Sequence, residues 1–161
     1  SVAFGIESGN EQILKNILKH ESLDVIKNAV IMAHKAGLFT QGFFIFGLPG
    51  ETRETITQTI NFAKSIPLDK AQFLLLDIIP GSELWRELKY NKKVNWHIDS
   101  FHEVSWLPPT IDRDTLSHVL SRAFISFYLR PKQILLFFKY FKMSQFPFLL
   151  KRIRDFKILN V

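Results

Sequence analysis

The stretch Phe43-Phe44-Ile45-Phe46-Gly47-Leu48-Pro49-Gly50 constrains the chain more than any other. Four bulky apolar residues in a row read as a strand covered on both faces. Gly47 and Gly50 allow the backbone to turn sharply, and Pro49 stiffens the turn between them. Glu51, Thr52 and Glu54 then supply capping groups and the negative charge that a helix N-terminus favours. The pattern is strand, tight turn, helix. In parallel α/β folds ligands gather at such turns, outside the carboxyl ends of the strands, although many such turns only connect.

The same unit recurs on either side. Val2–Ile6 reads as a strand, followed by the polar turn Glu7-Ser8-Gly9-Asn10 and a short helix over Glu11–Lys19. Ser22 is placed to cap a helix reaching Ala36, with Ile26, Ala29, Val30 and Ala33 on one face and Gly37 at its end. Strand Phe39–Phe46 leads through the glycine turn to a helix over Arg53–Lys64. Ala71–Ile79 reads as a third strand, stopped by Pro80-Gly81, and Ser82 opens a short helix to Leu88. The order βαβαβα, with crossovers long enough for parallel strands, predicts half of a (β/α) barrel or of a doubly wound sheet.

Residues 91–161 differ in kind, so the chain divides into 1–90 and 91–161. An irregular segment carrying Trp96, His97, His102 and Trp106 precedes a helix capped by Asp112 or Asp114 and ending near Tyr128. Helices over Gln133–Lys142 and Pro147–Phe156 are expected after Arg130-Pro131. Residues 130–161 hold eight basic residues against Asp155 alone, so the net charge of +6 sits in the tail. There, bulky apolar residues alternate with cations. Such a segment can pack its phenylalanines on the body, or lie on an anionic membrane surface through residues 132–157. No nucleic-acid motif accompanies the charge, and none is expected to bind.

Composition excludes several chemistries. There is no cysteine, hence no disulfide, thiolate nucleophile or cysteine-ligated metal, as suits a cytoplasmic setting. The five histidines show no metal-ligand pairing, and neither Gly-x-Ser-x-Gly nor Gly-x-Gly-x-x-Gly occurs. The chain opens within a strand and without Met, and three βα units do not close a core, so a piece of a longer protein is expected.

Taken together, Gly5-Ile6-Glu7-Ser8-Gly9-Asn10, Gly42-Phe43-Phe44-Ile45-Phe46-Gly47-Leu48-Pro49-Gly50-Glu51-Thr52, and Ala71-Gln72-Phe73 with Pro80-Gly81-Ser82-Glu83-Leu84 resemble the radical S-adenosylmethionine (SAM) enzymes. The likeness is to strands four, five and six, nearest the branch with an N-terminal cobalamin (B12) domain. Phe127-Tyr128-Leu129-Arg130-Pro131 resembles that branch's C-terminal extension. The resemblance implies a partial (β/α)6 barrel. It also implies SAM as cofactor and a 4Fe-4S cluster whose ligands, a Cys-x3-Cys-x2-Cys loop after strand one, lie outside this chain. Cobalamin-dependent methyl transfer is the reaction type expected where the cobalamin domain is present, and the substrate would be a small or lipid-like molecule. By the same resemblance, Glu7 or Ser8 would meet the ribose or amino-acid portion of SAM. Gly47 and Gly50 would let the backbone approach the adenine, with Leu48 over one face of it. The backbone around Asp77-Ile78 would pair with the adenine, and the Asp77 carboxylate could face the substrate. Without cysteine the chain cannot be active alone and needs the N-terminal half of the same protein as partner. Two other readings stand beside this one. The first is a non-catalytic half-barrel that docks through its basic tail, and the second is an unrelated α/β domain that holds a nucleotide at Gly47–Gly50.

Overall fold

The computed structural model describes residues 1–88 and 106–140. Three parallel strands, β1 (Val2–Glu7), β2 (Thr40–Phe46) and β3 (Lys70–Leu75), form one sheet in the order β1-β2-β3. Helices α1 (Glu11–Asn16) and α2 (Leu23–Lys35) follow β1, α3 (Arg53–Ser65) follows β2, and α4 (Glu83–Leu88) follows β3. Helices α5 (Arg113–Tyr128) and α6 (Pro131–Tyr140) complete the described chain. The expected helix over Pro147–Phe156, and Trp96, His97 and His102, lie outside the described residues. By contacts the chain divides into Ser1–Tyr128 and Leu129–Val161.

Local chemistry explains where the helices begin. The Ser22 hydroxyl accepts from the Val25 amide at 3.3 Å, and Thr52 and Thr55 exchange the hydrogen bonds of a capping box. Of the two candidate caps of α5, Asp112 is the one used: its carboxylate accepts from the Thr115 amide at 2.7 Å.

Alternation within β2 sorts the two faces of the sheet. Thr40, Gly42, Phe44 and Phe46 are buried, while Gln41, Phe43 and Ile45 are half-buried. Phe44 and Phe46 meet Ala71 and Phe73 of β3 and Ile6 of β1 in one core with residues of α2, α3 and α5. The apolar run predicts a strand covered on both faces; among the described residues the helix-bearing face is the closed one, while on the other face Gln41, Phe43 and Ile45 are half-buried and Leu74 is exposed. Consecutive strand order with α2 and α3 packed against it is the α/β half-barrel arrangement.

Two elements end earlier than the sequence suggests. β3 stops at Leu75, not Ile79, because β2 has already left the sheet at Gly47; the last ladder bond runs from the Leu76 amide to the Phe46 carbonyl at 2.8 Å. α1 stops at Asn16, not Lys19. The Lys19 amide bonds the Leu14 carbonyl at 2.9 Å and the Leu18 amide bonds the Lys15 carbonyl at 3.0 Å, a Schellman closure with Leu18 at φ 56°.

The outer edge of β3 is sealed by a side chain. The Tyr128 hydroxyl donates to the Ala71 carbonyl at 2.7 Å and accepts from the Ala71 amide at 3.3 Å. Burial also pushes the phenol's pKa up, opposed by that hydrogen bond. Tyr128→Phe leaves both backbone groups half-buried without their partner. It is expected to cost about 1–3 kcal/mol in urea denaturation; a loss below about 0.5 kcal/mol would mean water replaces the hydroxyl.

Candidate functional site

The carboxyl ends of the strands carry the residues singled out from the sequence. After Phe46 the backbone turns through Gly47 (φ 90°) and Gly50 (φ 80°), a left-handed conformation that side chains disfavour. A Cβ on Gly50 would also lie 2.6 Å from Asn16 Nδ2, which donates to the Pro49 carbonyl at 3.1 Å. The turn is therefore tied to the end of α1. The acid that follows closes it from inside. Glu51 is fully buried, and its Oε2 accepts from the Gly47 amide at 2.5 Å and the Leu48 amide at 3.2 Å. The expectation that Glu51 serves the helix start is thus corrected: Thr52 is the cap, and Glu51 holds the two amides that the glycine turn would leave bare.

This turn holds Leu48 and Pro49 against a cavity of about 450 Å³. The stretch after β3 supplies Asp77 and Ile78, α4 supplies Glu83 and Glu87, and the left-handed closure after α1 supplies Leu18. Of the sequence-predicted site residues, Leu48, Asp77 and Ile78 share this cavity. Leu48 and Ile78 are nearly buried, whereas Asp77 is exposed. Gly47 and Gly50 shape the turn without lining the cavity.

Glu7 lines a neighbouring depression of about 400 Å³, and Ile17 and Leu18 form the ridge common to both. Glu7 sits at φ 68°, where the β1–β2 register shifts. Burial raises its carboxyl's pKa, and Lys19, which donates to the Gly5 carbonyl at 2.7 Å, pulls it back down. Ser8 is fully buried, with its hydroxyl 3.1 Å from Thr59 Oγ1 and accepting from the Asn10 amide at 3.2 Å. The cap of α1 is Asn10. Gly9 allows this close approach, since a Cβ there would lie 2.7 Å from the Thr59 backbone.

Of the two non-glycine residues in left-handed backbone among the described residues, Leu18 borders both depressions and Glu7 borders one of them. Neither was foreseeable as strained, since nothing in the sequence marks a leucine for a position usually held by glycine. Leu18→Gly is expected to raise stability by about 1 kcal/mol in thermal or urea unfolding. An unchanged or lower midpoint would show that the exposed leucine contributes more than its backbone costs.

Residues 1–63 match the family model described as the radical SAM superfamily. An uncharacterised methyltransferase of Pyrococcus horikoshii is 37% identical over 142 residues, which are 84% of this chain and 30% of that protein. The chain belongs to the radical SAM superfamily. Cytidylyl-2-hydroxyethylphosphonate methyltransferase of Streptomyces wedmorensis is 33% identical over 93 residues, covering 53% of this radical SAM chain and 17% of its own length. Bacteriochlorophyllide d C-12(1)-methyltransferase of Chlorobaculum tepidum is 29% identical over 104 residues, 63% of this chain and 23% of that protein. The chain thus spans less than a third of the length of these relatives. The residues present do not fit the family's iron–sulfur cluster: the chain has no cysteine, and no group of three potential metal ligands occurs among the described residues.

Proposed function

We propose that this chain supplies the strand-four-to-six side of the SAM pocket in a radical SAM methyltransferase. The observation that carries the reading is the cavity at the strand ends, walled by Leu48 from one βα turn and by Asp77 and Ile78 from the next. A flat, partly apolar base suits walls of this kind, with backbone amides and carbonyls at the rim for its polar edge. Glu7, one ridge away, has the acceptor oxygens to hold paired ribose hydroxyls. The cluster cysteines come from residues outside these 161, in a further portion of the same protein that pairs with the open edge of β1. Methyl transfer is supported by the names of three relatives, and the resemblance to the cobalamin-associated branch favours cobalamin as methyl carrier. The substrate is a small or lipid-like molecule set by that further portion.

The reading is tested by titrating the methyl-labelled chain with S-adenosylhomocysteine and following leucine and isoleucine methyl resonances. Saturable shifts at Leu48, Ile78 and Ile17 are expected. Shifts confined to other regions, or none at saturating ligand, would overturn it. Equal shifts with a nucleotide lacking the sulfur would instead favour a general nucleotide site.

A further inference from the structure

Helix α6 is inverted for a helix in water. Its buried side chain is polar, Gln133 at 4% exposure, while Leu135 and Phe138 are each 70% exposed, and Ile134 and Phe137 are also exposed. Residues three and four apart share a helix face, so Ile134, Phe137 and Phe138 lie together, with Leu135 beside Phe138. The Phe137 and Phe138 rings meet edge to face at 5.8 Å. Lys132 and Lys139, two turns apart, stack along one border of this apolar face. A row of large apolar side chains bordered by cations has no counterpart elsewhere among the described helices.

We propose that α6 docks on an anionic lipid bilayer, lying in the interface with Ile134, Leu135, Phe137 and Phe138 toward the acyl chains and Lys132 and Lys139 at the headgroups. Charge selects this occupant. Lys132 and Lys139 border the face, and residues 130–161 as a sequence carry eight basic residues and one acidic one, so this end of the chain is attracted to an anionic surface. A second copy of the chain would set lysine rows against one another. A nucleic acid would satisfy the lysines and leave four large apolar side chains in water. Length decides between lying and spanning. Ten helical residues rise about 15 Å, half of a hydrocarbon core of about 30 Å. No helix among the described residues is long and apolar enough to cross a membrane. Embedding one face to a depth of about 5–10 Å matches side chains of this size. The inference is independent of the SAM pocket, and either can fail alone.

The test uses the complete 161-residue chain in flotation with two kinds of vesicle, phosphatidylcholine alone and phosphatidylcholine with about a third phosphatidylglycerol. Binding to the anionic vesicles, weakened by salt, is expected. Leu135→Glu/Phe138→Glu should lower the bound fraction at least about tenfold, because both side chains must leave the acyl region. Lys132→Gln/Lys139→Gln should reduce the preference for anionic over neutral vesicles severalfold while leaving the apolar face intact. Far-UV circular dichroism and the melting midpoint are read for each variant, and these exposed positions should leave both unchanged. The proposal is overturned if the wild-type chain stays with the unbound fraction, or if the folded glutamate variant floats as well as wild type. It is equally overturned if sedimentation shows a dimer that the glutamate variant dissociates and vesicles fail to bind.

Discussion

Replacing Phe73 by alanine is expected to cost about 3–5 kcal/mol, the largest loss of any single substitution considered for this chain. Phe73 is 2% exposed on β3 and is the point where sheet and helices meet. Its ring stacks on Phe44 at 5.3 Å and on Phe46 at 5.6 Å. Phe124 and Phe127 of α5 approach it edge-on at 5.4 and 6.2 Å. Four aromatic neighbours cannot all move into the space left by one ring without losing their own contacts, so the cavity persists and its cost adds to the lost burial. Urea denaturation should show a lower midpoint with an unchanged slope. Phe73→Leu, which keeps most of the volume, should lose about 1–2 kcal/mol. A double-mutant cycle with Phe124→Ala should return a coupling of about 0.5–1.5 kcal/mol for the edge-on pair. A loss under about 1 kcal/mol for the alanine variant would mean that α5 is held by other contacts and that the aromatic cluster is not the centre of the core.

The core and the site differ in how far they could be read from the residues. Helix starts were legible because their signals are local: Ser22, Ser82 and Asp112 each bond an amide three residues on, at 3.3, 3.1 and 2.7 Å. The meeting of Leu48 with Asp77 and Ile78 was legible for a topological reason. All three follow the carboxyl ends of adjacent parallel strands, so they share a cavity however the helices pack. Non-local events were not legible. The apolar run after Leu75 reads as continuing strand, yet its length in the sheet is set by where β2 departs. Ser8 has the composition of a ligand or a cap, but its hydroxyl is taken by Thr59, fifty-one residues away. The left-handed Leu18 contradicts the propensity of leucine and is tolerated because Ile13 and Leu14 on the preceding turns are buried. Glu51 was visible as an acid after a glycine turn. Its direction depends on two amides that the turn exposes, which is a property of the folded backbone and not of the residue type.

That inward direction makes the stability of the chain pH-dependent in an unusual sense. Glu51 is fully buried, and burial pushes its carboxyl from about 4.5 up to about 7 against the pull of the Gly47 and Leu48 amides. Oε1 has no hydrogen-bond partner among the described residues, so the charged form is poorly served on that side. Between about 4.5 and about 7 the native state binds the proton and the unfolded chain has lost it. Stability therefore falls as pH rises through this window, is greatest below it, and levels off above. The full drop is on the order of 3 kcal/mol, since each unit of pKa difference corresponds to about 1.4 kcal/mol. Glu51→Gln keeps a carbonyl that can accept from both amides and removes the titration, so its unfolding free energy should not fall across the window. The variant should overtake wild type near the upper end. Glu51→Ala also removes the slope but leaves two buried amides bare, and should be less stable than Glu51→Gln by about 1–3 kcal/mol at every pH. Denaturation of the three proteins at closely spaced pH values reads both effects at once. Parallel curves for wild type and Glu51→Gln would show that the carboxylate finds water or another donor in the folded chain. The turn that holds Leu48 against the cavity would then be closed by a charge and not by a neutral acid.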